Sequence, residues 1–161
     1  MMQLATFLTV SVFLGIAHGE QCKGEKSASV VIGALGMNTY YLTGTTNRSA
    51  EPCSYMTIKE STEDCEFGTT LTYGYKKGRS WVNLTELVSV SGASFSTDLC
   101  GPLKGMKVLA TGSDCLALHN NDVTELWVTK SSVDTPTCCT SSFDKQRGTA
   151  RYQTTYEHGI C

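Results

Sequence analysis

The chain is 161 residues long and sets 13 basic against 15 acidic side chains, for a formal net charge of −2. So balanced a charge argues against nucleic acid or an anionic membrane surface as a partner.

The N-terminus reads first. Met1–Gly19 has no charged side chain, carries an apolar run from Leu4 to Ile16, and ends in Ala17-His18-Gly19 before Glu20. This is the pattern of a secretory signal peptide removed on export, and the run is too short to span a bilayer. The mature part, 20–161, is about 140 residues, which suits one domain with one core. The expected location is extracellular.

Ser27–Leu35 is small and apolar, compatible with a short helix or with irregular chain. Seven segments rich in Thr, Val, Tyr and Leu then read as strands: Asn38–Thr45, Ser54–Lys59, Gly68–Lys76, Trp81–Ser91, Lys107–Thr111, Cys115–His119 and Thr124–Thr129. Gly, Asn, Asp, Ser and Pro fill the gaps. Short strands at this spacing predict an all-β antiparallel barrel or sandwich. Thr140–Ala150 is the helix candidate, with Gly148 as its stop.

All eight cysteines lie beyond the leader: Cys22, Cys53, Cys65, Cys100, Cys115, Cys138, Cys139 and Cys161. An even count in an exported chain predicts disulfides, and the absence of C-x-x-C with only His119 and His158 nearby argues against zinc. Eight cysteines allow about 105 pairings, so spacing alone leaves the connectivity open. Adjacent Cys138 and Cys139 would strain a bond to each other, so each is expected to reach a different segment. Asn47-Arg48-Ser49 and Asn83-Leu84-Thr85 are N-glycosylation acceptor triplets.

Strand alternation sorts the side chains near the C-terminus, because successive residues point to opposite faces. If Cys115 points outward towards a cysteine of the helix, Ala117 does too, and Leu116 and Leu118 face inward. Glu125 and Trp127 share one face of the next strand, and Leu126 and Val128 share the other. One face packs under the helix; the other lines the interior. An ionised Glu125 inside is costly unless it is paired or hydrogen-bonded. A ligand's ammonium or hydroxyl would satisfy it, and so would an internal tyrosine, lysine or water. Leu71, Tyr73 and Tyr75 make a similar stripe, able to serve either as packing or as an aromatic cavity wall. No G-x-S-x-G, H-E-x-x-H, phosphate loop or dinucleotide fingerprint is present, and His119 ends a strand at a polar turn. A binding protein without cofactor is expected rather than an enzyme.

Thr124-Glu125-Leu126-Trp127-Val128, then Cys138-Cys139, Phe143 and Gly148, resembles the C-terminal signature of the tick salivary lipocalins, most closely the small soft-tick members. Gly24, Tyr40-Tyr41-Leu42, Cys53 and Leu71-Thr72-Tyr73-Gly74-Tyr75-Lys76 extend the likeness. It covers most of the mature chain and is poorest from Glu86 to Leu103. The resemblance implies an eight-stranded antiparallel barrel with one C-terminal helix outside it. It also implies the disulfides Cys22–Cys138, Cys53–Cys161 and Cys115–Cys139, with Cys65–Cys100 remaining as an additional pair. Members of this family are salivary scavengers of host histamine, serotonin, leukotrienes or thromboxane, and some bind a host complement protein through outer surfaces; a monomer is expected here.

The chain departs from the amine-binding members at one place. Those members resemble one another in an acidic residue directly after the cysteine that opens this segment, where this chain has Leu116, with Asp114 on the other side of Cys115. Lys104 or Lys107 resembles the basic position of leukotriene-binding relatives, where it would meet a carboxylate. Sequence therefore leans towards a lipid mediator (a leukotriene or thromboxane) held by Leu71, Tyr73, Tyr75, Lys104, Leu116, Leu118, Glu125 and Trp127. A biogenic amine is the alternative, and an inhibitor of a host protein acting through loops is the other class.

Overall fold

The computed structural model describes Cys22, residues 26–59 and residues 69–161. The leader Met1–Gly19, Gly24, Cys65 and the start of the third expected strand at Gly68 lie outside these. The order of elements is α1 (Ala28–Met37), β1 (Tyr40–Thr45), β2 (Tyr55–Ile58), β3 (Thr69–Lys77), β4 (Ser80–Ser91), β5 (Ser94–Thr97), β6 (Lys107–Thr111), β7 (Cys115–His119), β8 (Thr124–Thr129), a 3-10 turn and α2 (Cys138–Arg147).

The strands form one closed antiparallel barrel in sequence order, with β8 returning to β1. Closure removes the free sheet edges except at the β5–β6 seam, where a single residue pair joins the strands. The barrel is all-β with a C-terminal helix outside it. Three of the expected strands (β6, β7 and β8) have the bounds read from sequence, and the others shift by one or two residues. β5 went unread because Ser94-Phe95-Ser96-Thr97 is only four residues, with Phe95 alone buried. The helix read as Thr140–Ala150 starts two residues earlier, at Cys138, and ends at Arg147. Gly148 follows with φ 55°, a left-handed position that suits glycine.

The ambiguous first segment is α1. Ala28, Val31 and Leu35 recur at helical spacing and are all buried, so one stripe seals an end of the barrel. Ala28 N–H donates to Gly92 O in the β4–β5 turn at 2.8 Å, fixing α1 to that end. Inside lie Tyr40, Met56, Leu71, Val88, Leu116 and Trp127. β5 and β6 share a single pairing, Ser94 with Lys107. The following stretch of wall is closed by loop 98–106, which buries Leu103 and Met106.

The second apolar layer lies outside the barrel. Ala110, Cys115, Ala117 and Val128 pack with Cys139 of α2. Phe143 lies over Gly44, where an added Cβ would come within 3.2 Å of its ring. His119, expected to be a solvated turn residue, is instead half-buried and links two elements. Its Nδ1 lies 3.1 Å from Val123 O and its Nε2 3.1 Å from the Gln146 amide of α2.

Three disulfides are formed among the described residues. Cys115–Cys139 joins β7 to α2, Cys22–Cys138 ties the N-terminal segment to the same helix, and Cys53–Cys161 holds the C-terminus to the β1–β2 loop. Cys100 bonds to none of the described cysteines, and its expected partner Cys65 lies outside them. The Cys115–Cys139 link spans 24 residues. Closing a loop of that size should contribute about 2–4 kcal/mol, chiefly by restricting the unfolded chain. Replacing both cysteines by alanine is expected to lower the urea midpoint accordingly and to raise amide exchange across α2. An unchanged midpoint would contradict that role.

Candidate ligand-binding site

The site is built by alternation on β8. Glu125 and Trp127 turn into the barrel, while Leu126 and Val128 pack outward under α2. Trp127 is held between Leu116 of β7 and Leu42 of β1, its register partners on either side. Leu118 stands opposite Glu125. Both leucines are fully buried packing residues that flank the acidic-aromatic pair.

Glu125 is 8% exposed. Trp127 Nε1–H donates to its Oε2 at 2.9 Å, and among the described residues no cation pairs with it. Burial pushes the carboxyl up to about 7, against a smaller opposing effect of the indole hydrogen bond. A neutral donor two residues away therefore leaves the negative charge without a counter-charge.

A cavity of about 200 Å³ opens onto this pair. Tyr73, Tyr75 and Leu42 form walls, and Asn47, Ala50 and Pro102 from the loops form the mouth. Tyr73 and Tyr75 thus join Glu125 and Trp127 at one site, while Leu71 lies deeper in the core.

The two lysines are elsewhere. Lys104 is not on a strand: it sits exposed on loop 98–106, with Nζ 3.2 Å from Cys100 Sγ. Lys107 opens β6 with its side chain exposed, because the inward position there belongs to Val108. Neither lines the cavity. Asp114 also stays apart from Glu125. It lies in the β6–β7 turn near Tyr40, whose hydroxyl is pushed up to about 12 by burial and by that nearby carboxylate.

A second buried carboxylate escaped the sequence reading. Glu86 of β4 is 4% exposed and accepts Gly101 N–H at 3.1 Å through Oε2, while Oε1 is buried without a partner among the described residues. Burial raises its pKa, partly offset by the Gly101 hydrogen bond. Its signal was present in β4, where Glu86 shares alternation with Val88.

A closed eight-stranded antiparallel barrel, sealed at one end by a helix and open to a small cavity at the other, defines the lipocalin fold. No family model matches the sequence. Among solved structures, the chain is similar to the AM182 protein crystallised as its serotonin complex. The two share 24% identity and a TM-score of 0.69, over 82% of this chain and 92% of that one. At that identity the likeness establishes the shared fold.

Proposed function

We propose that this chain is a secreted lipocalin of the tick salivary kind that sequesters a biogenic amine, with no catalytic step. The observation that carries this reading is Glu125: a buried carboxylate beside an open cavity, hydrogen-bonded by Trp127 and with no cationic partner among the described residues. An ammonium entering the cavity supplies the missing charge, and Trp127, Tyr73 and Tyr75 offer aromatic surface to the ring of histamine or serotonin. The serotonin bound by the AM182 protein supports the same choice.

The sequence leaned instead to a lipid mediator, on Leu116 and the two lysines. Leu116 is packing, the lysines face away from the cavity, and about 200 Å³ is below the roughly 300–1,000 Å³ usual for larger ligands. A fatty acid would also bring its carboxylate towards a cavity whose charged groups are Glu51 and Glu125. Titration calorimetry with serotonin, histamine, a leukotriene and a thromboxane analogue tests the choice. Binding of an amine with no heat from either lipid is expected. Tight binding of a lipid alone would overturn the amine reading, and silence from all four would favour a protein target.

A further inference from the structure

The outer face of the barrel carries a second feature, centred on β4 and bordering the cavity only at Tyr55 and Gly74. Alternation along β4 sends Glu86 and Val88 inward, so Trp81, Asn83 and Thr85 all point outward in one row. All three are exposed, Trp81 to 42%. Asn83-Leu84-Thr85 is an N-glycosylation triplet whose asparagine and threonine therefore stand on the same face as a tryptophan two residues upstream.

The neighbouring strands shape the row into a platform. Tyr55 of β2, Gly74 of β3 and Asn83 of β4 are in register across three strands. Gly74 has no side chain to intervene, so the Tyr55 ring lies over it and its hydroxyl donates to Asn83 Oδ1 at 2.7 Å. A Cβ at Gly74 would clash first with the Val82 backbone carbonyl oxygen and would also stand 2.8 Å from Tyr55 Cε1 and 3.1 Å from Asn83 Oδ1, so neither the strand pairing nor the ring could stay as they are. Tyr55 meets Trp81 edge-on at 5.7 Å between centroids. Lys76, the register partner of Trp81, places Nζ 6.0 Å from its ring centroid. The Asn83 amide oxygen is thus held by a phenol, its Nδ2 has no partner among the described residues, and aromatic surface lies beside it.

We propose that Asn83 carries an N-linked glycan whose first N-acetylglucosamine packs its apolar ring face on Trp81, with the Tyr55 hydrogen bond fixing the direction of the linkage. This rests on the export reading, since only an exported chain meets the glycosylating enzyme. In the transfer, Asn83 Nδ2 attacks C1 of the sugar of a lipid-diphosphate-linked oligosaccharide. The C1–N bond forms, the C1–O bond to diphosphate breaks, the lipid diphosphate leaves, and one amide proton goes to base. Asn47 is placed differently: its Oδ1 accepts Ser49 N–H at 3.0 Å, and it lines the cavity mouth.

The test expresses residues 20–161 behind a eukaryotic host's own leader, beside the full chain with Met1–Gly19. Peptide mapping is expected to find Asn83 modified. The glycoprotein should unfold about 4 °C above its Asn83→Gln variant, the shift expected of one aromatic stacking contact. That difference should vanish in a Trp81→Ala background. The chain has two tryptophans and Trp127 is buried, so acrylamide quenching reports Trp81. Quenching should be weaker with the glycan than without it. An unmodified Asn83 on the secreted chain would overturn the proposal. So would a modified one whose thermal shift survives Trp81→Ala and whose quenching matches Asn83→Gln. Retention of the chain bearing its own leader would sink the export reading and leave the Trp81 contact to be decided by the first sample.

Discussion

Glu125→Gln is expected to abolish amine binding and, above pH 7, to make the ligand-free protein more stable. The amide keeps an oxygen to accept Trp127 Nε1–H but removes the buried charge. The sign follows from the raised carboxyl. Unfolded, it titrates near 4.5; folded, at about 7. Between those values the native state holds more protons than the unfolded one, so stability falls as pH rises through that window. Below 4.5 both states are protonated and no cost arises. Above 7 the full cost, about 3 kcal/mol, is present. Urea unfolding should therefore show variant and wild type alike near pH 4 and the variant ahead by up to that amount at pH 8. Loss of the counter-charge should weaken amine binding by about 100-fold or more. A variant that gains no stability at pH 8 would contradict the burial of this charge.

Trp127→Ala is the second large effect. The indole is 2% exposed and packed between Leu42 and Leu116 at the centre of the interior core. Removing it leaves a cavity the rigid barrel cannot close and should cost about 3–5 kcal/mol. It also removes the indole donor to Glu125, so the carboxyl should titrate higher still. Trp127→Phe separates the two effects by retaining most of the volume and losing only the N–H. Denaturation midpoints should fall far less for Phe than for Ala, while both raise the pH at which amine binding appears. Equal midpoints for the two variants would show that packing is not what the indole supplies.

Strand alternation made much of this site legible in the sequence. Leu116 and Leu118 inward, Cys115 and Ala117 outward, and Glu125 with Trp127 on the interior face all follow from a period of two in segments long enough to read. What escaped lies where periodicity is short or contacts are long-range. β5 offers four residues and one buried side chain. The cavity mouth comes from Asn47, Ala50 and Pro102, loop residues whose positions depend on the closed barrel and not on local pattern. Leu116 looked like cavity wall because facing inward and touching ligand are indistinguishable in a sequence. In the barrel, Trp127 lies across from it and it becomes packing. Glu86 was readable by the same alternation that gave Glu125, but its partner, Gly101, sits on a loop that no pattern places.

The central claim is that Glu125 is the counter-ion of a bound ammonium. Its most direct test is calorimetry of serotonin binding in two buffers of different ionisation enthalpy, near pH 6 and again near pH 8.5. With the free carboxyl titrating at about 7, binding near pH 6 should release close to one proton, and binding near pH 8.5 close to none. Tight binding at pH 6 with the same heat in both buffers would mean that no group ionises to meet the amine, and Glu125 would not be its partner.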